Sequence, residues 1–388
     1  MKIAIVWLIC FVTLNVYAES IYYSKINNNS LNVTVTTEDL VNSNSGKVFD
    51  KIKCEYKHCY AIKNNQLYSV GNNDYGQLGR SGDQTKWGVV AGMSNVTDFS
   101  VGYNSSYVIK DNKLYSIGFN DGGQLGRAGT ANSPNFAEVI NMSGLTKVVA
   151  GAFHAYVIKG GKLYASGRGH YGQLGMGDKY DRQGFVEVVT MSGLTDIISG
   201  SHHAYVLKNG RYYSTGYNLY GQLGWGGTVD RAIFSLVPDL IGDESIVSKG
   251  HLAIAFKNGK IYMIGRNEYG QLGLGNTISR SYWSYIDYLD NIDLVSTGGL
   301  HTFVVKDGEL YASGSNEYGQ LGNDGSKTVF TKVEGISNVT DVISGTNFTY
   351  IISNGKLYSS GDNSYGELGL GDKVRRNSFS EVDLSDLF

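Results

Sequence analysis

One phrase returns seven times along this chain and leaves few folds open to it. It is seen best as YMIGRNEYGQLG at 262–273 and YASGSNEYGQLG at 311–322. Its closing tetrapeptide begins at Gly76, Gly123, Gly172, Gly221, Gly270, Gly319 and Gly366, with gaps of 47, 49, 49, 49, 49 and 47 residues. A tyrosine leads each copy in step: Tyr68, Tyr115, Tyr164, Tyr213, Tyr262, Tyr311 and Tyr358. A fixed period of this length marks a repeat architecture, in which each unit buries its apolar face against its neighbours. That overrides the two or three domains that 388 residues would otherwise suggest.

Within a unit the signals are all β. In KVVAGAFHAYVIKGGKLYASGRGHYGQLG (147–175), AYVIK and KLYAS are short β-branched and aromatic runs separated by Gly-Gly. Other copies carry Asn209-Gly210, Asn258-Gly259, Asp307-Gly308 and Asn354-Gly355 there, pairs that supply the positive φ angles of a type I′ hairpin. After the phrase come runs such as FAEVI, FVEVV and FTKVE. A further strand, TKVVA or TDIIS, then leads into Gly-x-x-His. Three to four short strands per unit, and no helix, predict one propeller blade per repeat. The expected fold is all-β, a seven-bladed β-propeller over 48–388. In it the phrase is scaffold: glycines for tight turns, leucine for the core, and glutamine for buried backbone groups.

The N-terminus reads differently. MKIAIVWLICFVTLNVYAES has a basic start and an apolar stretch too short to span a bilayer. Val16 and Ala18 fit cleavage after Ala18, so 1–18 is expected to be a signal peptide and the mature protein secreted or periplasmic. Cys10 leaves with it, and the small residues of a lipid-anchor site are missing around it. Cys54 and Cys59 flank a short turn and would bridge if the geometry allowed. Their counterparts elsewhere are Ala, Ser or Thr, which suggests that they are simply small core residues. Residues 19–47 contain LNVTVT, where Leu31, Val33 and Val35 share one face of an expected strand. Pairing of this segment with the last blade is the expected way of closing the ring. The Asn-x-Ser/Thr triplets at Asn28, Asn32, Asn95, Asn104, Asn141, Asn338 and Asn347 read as chance occurrences in an Asn-rich chain.

The phrase and the upstream Gly-x-x-His together resemble the regulator of chromosome condensation repeat. The upstream element stands at Gly151–His154, Gly200–His203 and Gly298–His301. The resemblance spans about 48–388 and implies a seven-bladed propeller, in agreement with the count. There are departures. The family's tryptophan after the second-strand aromatic is replaced by Val70, Ile117, Ser166, Thr215, Ile264, Ser313 and Ser360. Gly-x-x-His becomes Glu55…His58, Gly102…Ser105, Lys249…Leu252 and Gly345…Phe348. The resemblance brings nucleotide exchange on the Ran GTPase as one possible activity. That activity leans on a wedge inserted in one blade, which the even spacing here does not offer. It also brings pure binding modules, among them secreted bacterial propellers that inhibit enzymes; the leader and compact array are closer to these.

Topology places the candidate surface. Residues inside Gly-x-x-His and those inside Gly-x-Asn-x-Tyr-Gly emerge at one end of every blade, and the hairpin turns at the other. The first end varies in types that anchor protein interfaces: Tyr103, Phe119, Phe153, Arg168, His170, His202, Tyr217, Tyr220, His251 and Arg266. The other end is turn chemistry. His58, His154, His203 and His301 occupy equivalent positions, so one structural role, a hydrogen bond tying strand to loop, is expected of them. Ser105, Leu252 and Phe348 interrupt any ring of zinc ligands, and neither a nucleophile-base pair nor a phosphate loop stands out. Lys+Arg 33 against Asp+Glu 35 argues against a nucleic-acid partner. The expectation is a non-enzymatic monomer without cofactor or metal. It binds a protein, with a small GTPase or a secreted enzyme as candidate partners.

Overall fold

The computed structural model describes residues 48–388 and two short strands, Ile26–Asn27 and Ser30–Leu31. Seven four-stranded antiparallel sheets follow one another in chain order, at 51–89, 96–143, 145–192, 194–236, 245–285, 294–332 and 339–381. These are the blades 1 to 7. In each, the strands are ordered as in the sequence, from an innermost strand such as Leu145–Ala150 to an outermost one such as Arg182–Ser192. The run after the phrase is thus the outer strand, and the run before Gly-x-x-His is the inner strand of the next blade. The inner strands surround an axial channel of about 730 Å³.

The hairpins form as the turn pairs require. Asn209-Gly210, Asn258-Gly259, Asp307-Gly308 and Asn354-Gly355 all have positive φ at both residues, as do Asn64-Asn65, Asp111-Asn112 and Gly160-Gly161.

The phrase is the mortar between blades. Its first glycine has φ between +76° and +82° in every copy. A methyl group there would meet the next blade's backbone: at Gly172 it would lie 2.4 Å from Ala232 Cα, and at Gly319 2.6 Å from Asn377 Cα. The second glycine receives an aromatic ring from the next blade, Phe136 at Gly79, Phe185 at Gly126 and Trp283 at Gly224. The leucines between them, Leu78 to Leu368, are wholly buried, each contributing about 2 kcal/mol of apolar burial. The glutamine side chain accepts the backbone N–H two residues earlier, Tyr75 to Gln77 at 2.9 Å and Tyr318 to Gln320 at 2.9 Å. Its own carbonyl accepts a buried tyrosine hydroxyl, Tyr107 to Gln124 at 2.7 Å. Asn120, Asn218, Asn267, Asn316 and Asn363 accept the leucine N–H at 2.8–2.9 Å.

Blade 7 meets blade 1 by the same rule. Gly366 lies against Thr85 and Gly369 against Trp87. Phe49, Trp87, Tyr350, Leu368 and Val382 share one apolar cluster with Leu384 and Leu387, and the Phe388 ring is 5.5 Å from that of Phe49. Blade 7 draws its four strands from its own repeat, and Ile26–Asn27 pairs with Ser30–Leu31. Most of 19–47, including Val33 and Val35, lies outside the described residues, as does the leader 1–18. Cys54 and Cys59 are directly opposed on neighbouring strands and form a disulfide, with Cα atoms 4.1 Å apart. No described helix is long and apolar enough to cross a membrane.

Candidate functional site: an aromatic arc on one face

Because the inner strand ends, and the second strand begins, at Gly-x-x-His, the two residues inside that element sit at one mouth of the channel. The segment after the third strand returns to the same mouth. Gly71, Gly118, Gly167, Gly216, Gly265, Gly314 and Gly361 make that return possible, with φ between +98° and +114°.

The variable side chains there form one continuous arc. Tyr56 stacks on Tyr103, with centroids 5.1 Å apart. Tyr103 meets Phe153 at 5.6 Å, and Phe153 is 6.3 Å from Phe119 and 6.2 Å from His202. His202 stacks on His251 at 5.6 Å, and His251 lies 5.1 Å from Tyr217 and 5.7 Å from Tyr220. Two guanidinium groups lie over the rings: Arg168 on Phe153 at 4.4 Å and Arg266 on Tyr220 at 5.3 Å. Each is also held by a carboxylate, Arg168 by Asp121 at 2.5 Å and Arg266 by Glu268 at 2.6 Å. The arc runs over blades 1 to 5; at blades 6 and 7 the corresponding segments carry Leu300, Ser315, Thr346, Asn347 and Asp362.

Nine of the ten residues expected at this face belong to the arc. His170 does not: its side chain is 62% exposed and its Nε2 lies 3.2 Å from Asp181. The nine are half-buried, each ring covering part of the next. Burial, with Arg168 nearby, lowers the His202 pKa to about 4; burial, with His202 and Arg266, does the same to His251. Both imidazoles are therefore neutral at physiological pH and can stack. Burial first, then the Glu55 charge, raises Tyr103 to about 12. The arc also takes in residues the sequence reading left with the scaffold. Tyr75 lies 4.8 Å from Phe119, Tyr171 4.8 Å from Tyr217, and Arg266 covers Tyr269 at 5.5 Å. Tyr75, Tyr171 and Tyr269 hold the same phrase position as Tyr220, and the regularity of that position masks them in the sequence.

The Gly-x-x-His histidines are buried and paired, but the expected partner, a nearby loop, is replaced by the next blade. His58 Nε2 bonds Ser106 Oγ at 3.0 Å, His154 Ser199 at 3.1 Å, His203 Ser248 at 2.9 Å, and His301 Thr349 at 3.1 Å. The glycine of the element makes room for the ring, since a methyl at Gly151 or Gly200 would lie 2.2 Å from the imidazole Cε1. Desolvation lowers His58, His154 and His301 to about 3, so these bonds are made by neutral rings.

The two charged replacements of that glycine find each other. Lys249 of blade 5 crosses the channel to Glu55 of blade 1 at 3.2 Å. Its ammonium also donates to the carbonyls of Cys54, at 2.6 Å, and Ser344. The pair caps the channel beneath the arc. Among the described residues no three His, Cys, Asp or Glu converge on a possible metal position.

The fold and face together define a seven-bladed propeller made of repeats with a two-part signature at each blade junction. Residues 111–158, 258–305 and 307–352 match the Regulator of chromosome condensation (RCC1) repeat, each match running from a hairpin turn into the next blade's second strand. The chain thus carries three stretches that match this repeat, within a propeller of seven blades. No curated protein matches the sequence. Among solved structures, Prp20p from Saccharomyces cerevisiae, described with its binding to Gsp1p and histones, is similar at 18% identity. It covers 84% of this chain and 88% of its own, with a TM-score of 0.72. Yeast RCC1 (Prp20) bound to Kap60 is 16% identical over 95% of this chain and 92% of that one, TM-score 0.71. Human WBSCR16 is 20% identical over 78% and 85%, TM-score 0.68. At these identities the likeness concerns the fold.

Proposed function

We propose that this protein is an exported, non-enzymatic propeller that binds another protein through the aromatic arc. The observation that carries the reading is the continuity of the arc. Tyr103, Phe119, Phe153, His202, Tyr217, Tyr220 and His251 touch in sequence on one face and stay half-buried, with Arg168 and Arg266 laid over them. Rigid aromatic side chains lose little conformational entropy on docking, and Arg168 and Arg266 are already held by rings and carboxylates, which suits both to anchoring an interface. Export after Ala18 is supported by the leader pattern, and a disulfide suits an oxidising compartment.

Affinity capture with purified residues 19–388 tests the reading, run beside a triple variant Phe153→Ala, His202→Ala, Tyr217→Ala and a control altered at the hairpin turns. A partner lost by the triple variant, by a few kcal/mol, and kept by the control supports the arc. Equal capture by all three proteins refutes it. The repeat class supports a second reading, nucleotide exchange on a small GTPase, given that Prp20p is described with Gsp1p. Faster release of labelled GDP from a Ran, Rab or Rho protein would favour it. A third, inhibition of a secreted enzyme, is one case of partner binding and would appear as lost activity of the captured protein.

A further inference from the structure

We propose that the Cys54–Cys59 bridge is a redox-sensitive clamp on a strained turn, and that its reduction releases Tyr56 from the end of the aromatic arc. This concerns blade 1 alone and does not depend on what the arc binds.

The turn is unlike those of most other blades. In blade 3 the inner and second strands part after Ala150↔Ala155, leaving Gly-x-x-His between them. In blades 1 and 5 the ladder continues to Glu55↔His58 and Lys249↔Leu252, so only two residues make the turn. The first of those two has positive φ in both blades, +58° at Gly250 but +47° at Tyr56. Glycine takes that conformation freely, whereas a bulky side chain does so at a cost and only when its surroundings impose it.

Several contacts impose it. The Tyr56 ring stacks on Tyr103 of blade 2. The Lys57 ammonium lies 4.2 Å over the Tyr365 ring of blade 7 and 3.9 Å from Asp362. Lys249 holds the Cys54 carbonyl from across the channel. The disulfide joins the residues just outside the turn. The corresponding cross-strand pairs elsewhere are Val101/Ser106, Ala150/Ala155, Ser199/Ala204, Ser248/Ala253, Thr297/Thr302 and Ser344/Thr349. A blade therefore folds without a covalent link at this pair. What sets blade 1 apart is a bulky residue in a glycine conformation, and the bridge sits where it opposes relaxation of that residue.

Cys54 borders the axial channel, but it is 6% exposed and Cys59 is wholly buried, so a small dithiol reaches the bridge when this turn opens. One thiolate of the reductant attacks a bridge sulfur and its second thiolate resolves the mixed disulfide. Two electrons pass to the bridge, Cys54 and Cys59 emerge as thiols, and the reductant leaves as a cyclic disulfide.

Hydrogen exchange over 55–58 in the oxidised protein, the dithiothreitol-reduced protein and a Cys54→Ala, Cys59→Ala variant tests the clamp. Exchange there should rise at least tenfold in the last two, with the second strand of blade 3, His154–Lys159, unchanged. Tyr56→Gly, which removes the strain, should shrink the redox effect to less than twofold. Equal rates in oxidised and reduced protein would overturn the proposal. So would a tenfold effect that persists in Tyr56→Gly, or a loss of protection spread over all blades.

Discussion

Six blades carry glutamine in the repeated phrase; blade 7 carries Glu367. Its Oε2 accepts the Tyr365 N–H at 2.6 Å, and its Oε1 is buried without a partner. Burial raises its pKa from 4.5 to about 7; the Asp362 charge adds to the rise, and the backbone N–H bonds and Lys57 oppose it. Protonated, the acid copies a glutamine, with Oε1–H standing where Nε2 stands in blade 5, 3.3 Å from the Gly299 carbonyl. Ionised, it is a buried carboxylate with one oxygen unsatisfied, beside the junction of blades 7 and 1. The folded-state pKa lies above the unfolded one, so the stabilising contribution is complete below about pH 4.5. It falls as pH rises and is gone above about 7. A shift of that size corresponds to about 3 kcal/mol, and relaxation around the site should bring the observed figure to about 2–3 kcal/mol. Urea midpoints of wild type and Glu367→Gln between pH 4.5 and 9 measure it. The variant should match wild type at the acid end and exceed it increasingly toward pH 8. Asp196, also raised to about 7, is common to both proteins and cancels in the difference. Parallel profiles would refute the argument.

Two further outcomes are expected. Gly172→Ala places a methyl 2.4 Å from Ala232 Cα at φ +76° and should cost about 2–4 kcal/mol by denaturant titration, more than an exposed Gly82→Ala, which meets nothing within 4 Å. Lys249→Met leaves Glu55 and two carbonyls unpaired and should cost about 2–3 kcal/mol; adding Glu55→Gln should recover part of that, giving a coupling energy in a double-mutant cycle.

Much of this was legible from residues that recur. A period of 49 residues, Asn-Gly turns and alternating short strands lead to blades, and chain direction alone sorts the loops into two ends. Nine of the ten residues expected at that face belong to the arc, because topology brings both sets of segments to one mouth. What stayed hidden involves partners distant in sequence or a departure seen in one blade only. Glu55 and Lys249 each look like a decayed motif; their meaning lies in the other, 194 residues away and across the axis. The histidine's partner sits in the following unit, where serine and threonine are too common to draw notice. The disulfide could not be inferred because its counterparts in other blades are ordinary small residues, and the αL backbone of Tyr56 left no mark in composition. Of the phrase tyrosines only Tyr220 is singled out by the sequence; Tyr171 and Tyr269, each 38% exposed, are masked by their recurrence.

Among the described residues the join between the last blade and the first is made of side chains, glycine contacts and one backbone hydrogen bond from Gly371 N–H to the Thr85 carbonyl, with Phe388 resting on Phe49. Every other join has the polypeptide running through it. A wheel assembled in this way has one place where it can part without breaking a covalent bond. Its rigidity is therefore set at that single joint, and anything wedged there would act on all seven blades at once.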